Sequence, residues 1–243
     1  NTAVGFQASY TNTTGSKNSS FGHYALRYNT TGSDITAIGQ AALYNNTTGV
    51  DNTALGTAAL DANTTGGYNT GLGRNALGGN TTASYNTSVG WNSMLASTTG
   101  DDNSALGYKA LNANTTAAGN TAIGFQALLV STTGANNVAV GKGALAANTT
   151  AADNTAVGKD ALAVNTTGSQ NTAVGLGALD SNTTGAGNTG VGRLVLAGNT
   201  TAGANTAMGY TALYANSTGA NNVAIGYNSL AANTTAASNT AVG

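Results

Sequence analysis

The 243-residue sequence contains no cysteine and no proline, and only 6% of its residues are charged, giving a net charge of −1. Without cysteine, neither disulfides nor thiolate zinc sites can stabilise the chain. Seven Lys and Arg residues are too few for the basic surface that binds nucleic acid or an anionic membrane. No apolar run approaches the roughly 20 residues of a transmembrane helix. We therefore expect neither nucleic-acid binding nor membrane contact within this segment.

The sequence is instead dominated by a 17-residue repeat. A glycine recurs every 17 residues from Gly5 to Gly243 without an insertion, and the repeat reads N-T-A-V-G-x-x-A-L-x-x-N-T-T-G-x-x, with Asn1 at position one. A fixed period dictates a repeat architecture. We interpret residues 1–243 as a single repeat array and expect it to be a piece of a longer chain. The repeats start at residues 1, 18, 35, 52, 69, 86, 103, 120, 137, 154, 171, 188, 205 and 222, and a partial repeat covers 239–243.

The length and composition of the repeat predict an all-β fold. Helical repeats need about 30 to 45 residues, whereas short glycine-rich and threonine-rich repeats suit strands and tight turns. We expect a β-solenoid, a flattened parallel β-roll of 14 coils and a partial coil, with two strands of about five residues per coil. Position four is apolar in every repeat and position nine is leucine in twelve of fourteen, so we predict that both columns fill the core. The core residues chosen are Val4, Ile38, Leu43, Leu60, Ile123, Leu128, Val157, Leu162, Val174, Leu179, Ile225 and Leu230.

Position three holds only Ala, Ser or Gly. Alternation along a strand puts it on the face opposite to position four. If position four is buried, position three faces outward and its small size allows a close approach by another chain. We therefore expect a homo-oligomer, a homotrimer or a filament, that associates through the Ala3 face.

Turns and polar ladders account for the other constant positions. Gly5 turns the first corner, where a residue at positive φ or one without Cβ is required, and the N-T-T-G segment turns the second, where several repeats accept alanine. Stacked Asn amides hydrogen-bond from coil to coil, so positions one and twelve predict two Asn ladders, beside a Thr ladder at position fourteen. The ladder and turn residues chosen are Gly5, Asn12, Thr14, Asn52, Asn63, Thr65, Asn120, Asn165 and Thr167.

Position twelve is also a glycosylation sequon, N-T-T, in twelve repeats. Glycans on successive coils about 4.8 Å apart would crowd one another, so we favour the structural ladder. The alternative names Asn12, Asn29, Asn46 and Asn63 as possible glycan acceptors.

No constellation of residues predicts catalysis, a cofactor or a metal site. His23, the single histidine, lies at variable position six, and the eight Asp residues are scattered. We expect the protein not to be an enzyme and to use no cofactor. Position six also collects aromatic and cationic residues, a possible stripe for carbohydrate or protein contacts. Its members are Phe6, Arg74, Trp91, Tyr108, Phe125, Tyr210 and Tyr227.

The repeats resemble those of bacterial and phage surface fibres. N-T-A-V-G is similar to the S-x-A-x-G core of trimeric autotransporter adhesin heads, and A-L-x-x-N-T-T-G is similar to repeat regions of phage tail fibres. The resemblance implies a secreted, fibrous, often trimeric shaft or head. We expect a structural segment of an extracellular fibre or filament, at a cell surface or on a virion, that mediates surface display or adhesion. The alternatives are a phage tail-fibre shaft that contacts a host receptor and an ice-binding solenoid. Host-surface carbohydrate or protein is then a possible partner.

Overall fold

Fifteen three-residue β-strands and no helix make up the secondary structure of the chain, which a computed structural model describes over all residues, Asn1–Gly243. The chain has two compact units, Asn1–Asn120 and Thr121–Gly243. Each unit is a parallel β-solenoid in which one repeat forms one coil, so the predicted fold class is confirmed. The strands of the first unit are β1 (Thr2–Val4), β2 (Ser19–Phe21), β3 (Thr36–Ile38), β4 (Thr53–Leu55), β5 (Thr70–Leu72), β6 (Thr87–Val89) and β7 (Ser104–Leu106). Those of the second are β8 (Thr121–Ile123), β9 (Val138–Val140), β10 (Thr155–Val157), β11 (Thr172–Val174), β12 (Thr189–Val191), β13 (Thr206–Met208), β14 (Val223–Ile225) and β15 (Thr240–Val242).

Within each unit, every strand pairs in parallel with the strand of the next coil and without a register shift. Ala37 of β3 lies opposite Ala54 of β4, and Ile38 lies opposite Leu55. Backbone bonds such as Gly56 N to Ile38 O, 2.8 Å, continue this ladder past the strand. Residues at one position therefore form a straight column along the unit.

The far side of each coil is not the second strand that we predicted. It is a series of turns in which the non-glycine residues at positions seven and nine have positive φ, as Ala58 and Leu60 do at 54°. The Ala58 amide donates to Gln40 O of the preceding coil at 2.9 Å, and the Leu60 amide donates to Ala76 O of the following coil at 3.0 Å. Hydrogen bonds to the preceding coil and to the following coil thus alternate along the turns. They join each coil to both neighbours without a second β-strand.

The position-nine column forms the core, as predicted. Leu43, Leu60, Leu128, Leu162 and Leu179 are 0% exposed, and only Leu230, in the last complete coil, is half-buried. A left-handed conformation costs a residue other than glycine about 1 to 2 kcal/mol of stability. Burying a leucine side chain contributes about 1.5 to 3 kcal/mol. Burial of the leucine thus offsets the strained backbone that places it inside.

The prediction that position four fills the core is wrong, because the strands present the opposite face to the interior. Val4 is 56% exposed, and Ile38, Ile123 and Ile225 are 37–39% exposed. The two remaining position-four residues that we assigned to the core, Val157 and Val174, are half-buried.

Position three lies inside instead, so the prediction that the Ala3 face meets another chain is also wrong. Ala37, Ala54 and Ala156 are 0% exposed. The column is small because the leucines lie against it: a Cβ added to Gly71 would come within 3.3 Å of Leu60 Cδ1. The thin interior leaves room for one large side chain per coil, which is the leucine.

Gly5 marks the corner after each strand, and only glycine fits there. Its φ is +135°, and an added Cβ would lie 2.4 Å from the carbonyl oxygen of Gly22 in the next coil. At the second corner, Gly15 lacks a positive φ, which agrees with the alanines found at that position in other coils.

The two predicted Asn ladders are present and meet at one carbonyl. Asn63 Nδ2 donates to Asn46 Oδ1 of the preceding coil at 2.8 Å and to Gly66 O of its own coil at 2.9 Å. Asn52 Nδ2 donates to the same Gly66 O at 2.7 Å, and Asn52 Oδ1 accepts the Asn69 amide at 2.9 Å. Each pair of amides thereby fixes the N-T-T-G corner.

The Thr ladder lies one residue earlier than predicted. Thr13 Oγ1 donates to Thr30 O of the next coil at 2.8 Å, and Thr64 Oγ1 donates to Thr81 O at 2.9 Å. The three position-fourteen residues that we chose, Thr14, Thr65 and Thr167, are exposed.

Candidate functional site

An unusual surface in each unit is the position-four column, here called the apolar stripe, whose side chains are exposed or half-buried. In the first unit it consists of Val4, Phe21, Ile38, Leu55, Leu72, Val89 and Leu106. Leu55 and Leu106 are 48% and 50% exposed, and Phe21 is 40% exposed. The flanking position-two residues are Thr, Ser or Val, so the outer face of the strands carries no charge. Soluble monomers rarely expose so long a contiguous apolar patch, and such patches mark interaction sites.

The position-six row follows the stripe immediately, beyond the glycine corner. Trp91 is 52% exposed, and its ring centroid lies 5.4 Å from that of Tyr108 in the next coil. Tyr210 and Tyr227, also in successive coils, are stacked at 5.6 Å with 14° between their planes. The structure thus brings together two aromatic pairs of the predicted ligand stripe, one in each unit.

Three other members of the predicted stripe lie outside these pairs. Phe6 is 60% exposed and stacks on His23 at 5.4 Å, Arg74 is exposed one coil before Trp91, and Phe125 lies 5.7 Å from Lys142 Nζ. The row is therefore not one continuous surface of aromatic rings, because cationic and other side chains separate its groups of rings.

A tyrosine cluster around Arg27 escaped the sequence analysis, because its members occupy different positions of the repeat. The Arg27 guanidinium carbon lies 4.6 Å from the Tyr24 ring centroid and 5.0 Å from that of Tyr28. Its Nη1 donates to Tyr44 Oη at 3.0 Å. Tyr28 donates to Tyr44, which raises the pKa of Tyr28 and lowers that of Tyr44. The local signal was an Arg-Tyr pair at positions ten and eleven, followed by Tyr at position ten of the next coil.

The sequon asparagines point inward. Asn29, Asn46 and Asn63 are 0% exposed, and both Nδ2 protons of Asn63 are used in the ladder. Asn12, in the first coil, is half-buried and donates to Gly15 O at 2.9 Å. A glycan bonded to Nδ2 would displace the ladder, so the folded array leaves no room for the alternative in which these residues carry glycans.

The ionisable groups form no metal-binding cluster, and the surface has no cavity or cleft. Burial raises the pKa of Asp61 and of Asp180, both at position ten. Two exposed ion pairs are present, Lys17 with Asp34 at 3.4 Å and Lys159 with Asp160 at 3.5 Å. The chain has no helix that could cross a membrane.

Comparison with protein-family models, curated proteins and solved structures finds no match for this chain.

Proposed function

We propose that this array is a structural segment of an extracellular fibre, in which copies of the same chain associate along the apolar stripe. The observation that carries the proposal is the charge-free outer face of the strands, where nine of the fifteen position-four side chains are exposed and the other six are half-buried. The homo-oligomer is the one that the sequence predicted, but the contacting face is position four in place of position three.

A second copy of the chain is the partner that matches the stripe. Its side chains recur with the coil spacing, about 4.8 Å, so a contact that is favourable at one coil is repeated at every coil only if the partner has the same period. The residues vary among Val, Ile, Leu, Phe and Met. Such a surface suits apolar side-chain packing whose detailed contacts differ from one coil to the next.

The energy available from the stripe depends on the number of coils. Fully burying such a side chain contributes about 1.5 to 3 kcal/mol, and those of the first unit are already about half-buried. Seven of them supply roughly 5 to 10 kcal/mol, against an association penalty of about 4 to 15 kcal/mol. Assembly therefore requires many coils acting together, which a long, insertion-free array provides.

The fibre location rests on the resemblance of the repeats to those of bacterial and phage surface fibres. A repeated, low-charge solenoid without a cleft is suited to the shaft or head of an adhesin or of a phage tail fibre. Such a shaft or head presents variable side chains at its surface. Positions six and seven are where those side chains differ most from coil to coil. A homotrimer and a filament are both compatible with a stripe that runs along each unit.

Ice binding is less favoured by the arrangement of the threonines. A lattice of water demands regular, flat ranks of side chains, but the residues of the apolar stripe differ in size, and Thr14 with its counterparts forms a single exposed rank. The neighbouring Thr13 rank is turned toward the backbone, where its hydroxyls donate to carbonyls.

The test is sedimentation equilibrium of the whole chain and of two charge variants. The triple variant Leu55→Glu, Leu72→Glu and Leu106→Glu places three charges on the stripe, and its matched control, Thr65→Glu, Thr82→Glu and Thr116→Glu, places three on the exposed Thr rank of the same coils. We expect the parent chain and the control to associate and the stripe variant to be monomeric with unchanged circular dichroism. A parent chain that stays monomeric up to about 100 μM, or a stripe variant that still assembles, would refute the proposal.

A further inference from the structure

Position six repeats one three-coil arrangement, once in each unit. In the first unit Arg74, Trp91 and Tyr108 occupy the column in successive coils, and in the second unit Arg193, Tyr210 and Tyr227 do so. The two sets are 119 residues apart, which is seven coils of 17. This variable column thus contains the same order, an arginine followed by two aromatic residues, at equivalent places in the two units.

The rings of each set are neighbours and are accessible. Trp91 and Tyr108 lie 5.4 Å apart at 68°, and Tyr210 and Tyr227 lie 5.6 Å apart at 14°. Trp91 is 52% exposed, Tyr108 is half-buried, and Tyr210 and Tyr227 are 40% and 69% exposed. Each pair therefore presents two aromatic surfaces separated by about one coil.

Unpaired cations accompany the rings. Arg74 and Arg193 are exposed, and neither takes part in an ion pair of the chain, since the two ion pairs join Lys17 to Asp34 and Lys159 to Asp160. Lys109, beside Tyr108, lies 5.4 Å from the Tyr108 ring centroid, and Arg193 lies 5.6 Å from that of Tyr210. No Asp occupies positions six or seven in the coils of either set, and Asp160, at position seven two coils before Arg193, is paired with Lys159. Both sets are therefore locally positive on a chain whose net charge is −1.

Polar side chains at position seven border each set. Asn75 Nδ2 donates to Asn92 Oδ1 at 3.0 Å, and Asn112 Nδ2 donates to Asn92 O at 2.7 Å. In the second unit the Thr211 hydroxyl donates to Asn228 Oδ1. These bonds hold amides and a hydroxyl in fixed positions next to the rings.

We propose that each arginine–aromatic–aromatic set is a binding site for a linear acidic glycan, a polysaccharide of uronate units. A pyranose ring has an apolar C–H face that packs on an aromatic ring, while Arg pairs its planar fork with a carboxylate. Successive sugars along an extended chain meet successive coils of the solenoid. The carboxylates pair with Arg74 and Lys109 in the first site and with Arg193 in the second, and the sugar faces pack on the rings.

Charge and composition favour an acidic glycan over nucleic acid. Aromatic rings beside cations also bind single-stranded nucleic acid, but that binding depends on a positively charged groove along the backbone. Each set offers one or two cations on an open column, and the chain has seven Lys and Arg in total. A sparsely charged polymer with ring faces fits this surface better than a polyphosphate.

Trp91, the only tryptophan of the chain, reports directly on the first site. The experiment titrates the whole chain with oligogalacturonate and oligomannuronate while following Trp emission, and counts sites by calorimetry. Size-matched malto-oligosaccharide and oligothymidylate are the neutral and phosphate probes. We expect saturable changes in Trp emission with at least one oligouronate, two sites per chain, and weaker binding at high salt because exposed charges are screened.

Three variants test the assignment of residues. Arg74→Gln should weaken the binding reported by Trp91 about tenfold or more, as expected for the loss of a charge-assisted hydrogen bond, and Arg193→Gln should remove the second site without changing the Trp91 titration. Lys142→Gln removes a cation from the same column outside both sets and should leave both sites intact. The proposal is overturned if neither oligouronate gives a saturable change, if Lys142→Gln weakens binding as much as Arg74→Gln, or if the neutral or phosphate probe binds as tightly as the oligouronates.

Discussion

Position four supplies a large apolar side chain in every coil and position nine in every complete coil but the first, which has Ser9, yet one column lies at the surface and the other fills the core. In a single coil, Leu55 of β4 is 48% exposed and Leu60 is 0% exposed. The two residues are five apart and chemically identical. What differs is the backbone: Leu55 is extended in a strand, whereas Leu60 has φ of 54°.

The backbone difference explains which residues each column accepts. Position four is rich in Val and Ile, as strands are. Position nine contains Leu, Met94 and Ser9 but no β-branched residue. A β-branched side chain at positive φ is a genuine outlier, and Thr211 is the one example in this chain. The left-handed backbone therefore explains why Val and Ile are absent from position nine. This column also lies where Gly71 and the other small position-three residues leave room for a leucine.

The largest contrast is expected on truncation to alanine. Leu60→Ala should lower the free energy of unfolding of the surrounding coils by about 2 to 5 kcal/mol, because it leaves a cavity. Leu55→Ala, in the same coil, should change it by about 0.5 kcal/mol or less, as surface substitutions do. Native-state hydrogen exchange of dilute, monomeric chain reports the local value, which a single global midpoint does not in a solenoid. Equal losses in the two variants would contradict the opposite placement of the columns.

A swap of equal volume isolates the backbone contribution. Leu60→Ile keeps the core volume and would ordinarily change stability by less than about 1.5 kcal/mol, but strain at positive φ should add about 1 to 3 kcal/mol. Leu55→Ile should be neutral, because β4 is extended. The same exchange measurement applies, and a harmless Leu60→Ile would show that the left-handed conformation does not select against β-branching.

The Asn ladder beside these columns is interrupted at Ser97. There the Ser97 hydroxyl and the Oδ1 atom of Asn80 in the preceding coil are buried without a hydrogen-bond partner. Ser97→Asn supplies a donor to Asn80 Oδ1, as Asn80 does for Asn63 at 2.7 Å. We expect a gain of about 1 kcal/mol in the stability of these coils. Ser97→Ala is the control. Its side chain cannot donate a hydrogen bond to Asn80 Oδ1, so it should not reproduce the full gain in stability.

The smallest effect is expected at Asp61, next to Leu60. Burial raises the pKa of Asp61, so the folded state favours the protonated form. The resulting contribution to stability is fully present below the unfolded pKa of about 3.9 and is lost as pH rises through the higher folded pKa. Asp61→Asn should therefore stabilise the chain slightly at pH 7, and the difference from the parent should shrink as pH falls toward 3. Native-state hydrogen exchange of both chains, compared at each pH across this range, measures it, and a difference that grows at low pH would be inconsistent with a raised pKa.

Much of the fold could be read from the repeat, since its period, the Gly5 corner, the leucine core and the two Asn ladders follow from constant residues. Which face of the strand points inward could not be read from the repeat. The alternation of Thr2 and Val4 with Asn1 and Ala3 is the same for both orientations of the strand, so burial had to be inferred from side-chain size alone. The second strand was predicted because 17 extended residues are long enough for two strands and two turns, and nothing in the repeat indicates the left-handed residues at positions seven and nine, which are rare outside glycine. Of the candidate site, position six was recognisable as a column, but the Arg27 cluster and the two three-coil sets depend on contacts between coils.

Cysteine labelling tests which side of the strand is buried. The chain has no cysteine, so single Ala54→Cys and Leu55→Cys variants each carry one thiol at adjacent positions of β4. In dilute native chain, we predict rapid reaction of Leu55→Cys with a maleimide and protection of Ala54→Cys until the chain is unfolded. At concentrations that favour assembly, Leu55→Cys should become protected and form disulfide-linked chains on oxidation. Rapid labelling of Ala54→Cys together with a protected Leu55→Cys in dilute chain would contradict the account, because it would place the stripe inside and the alanine face outside.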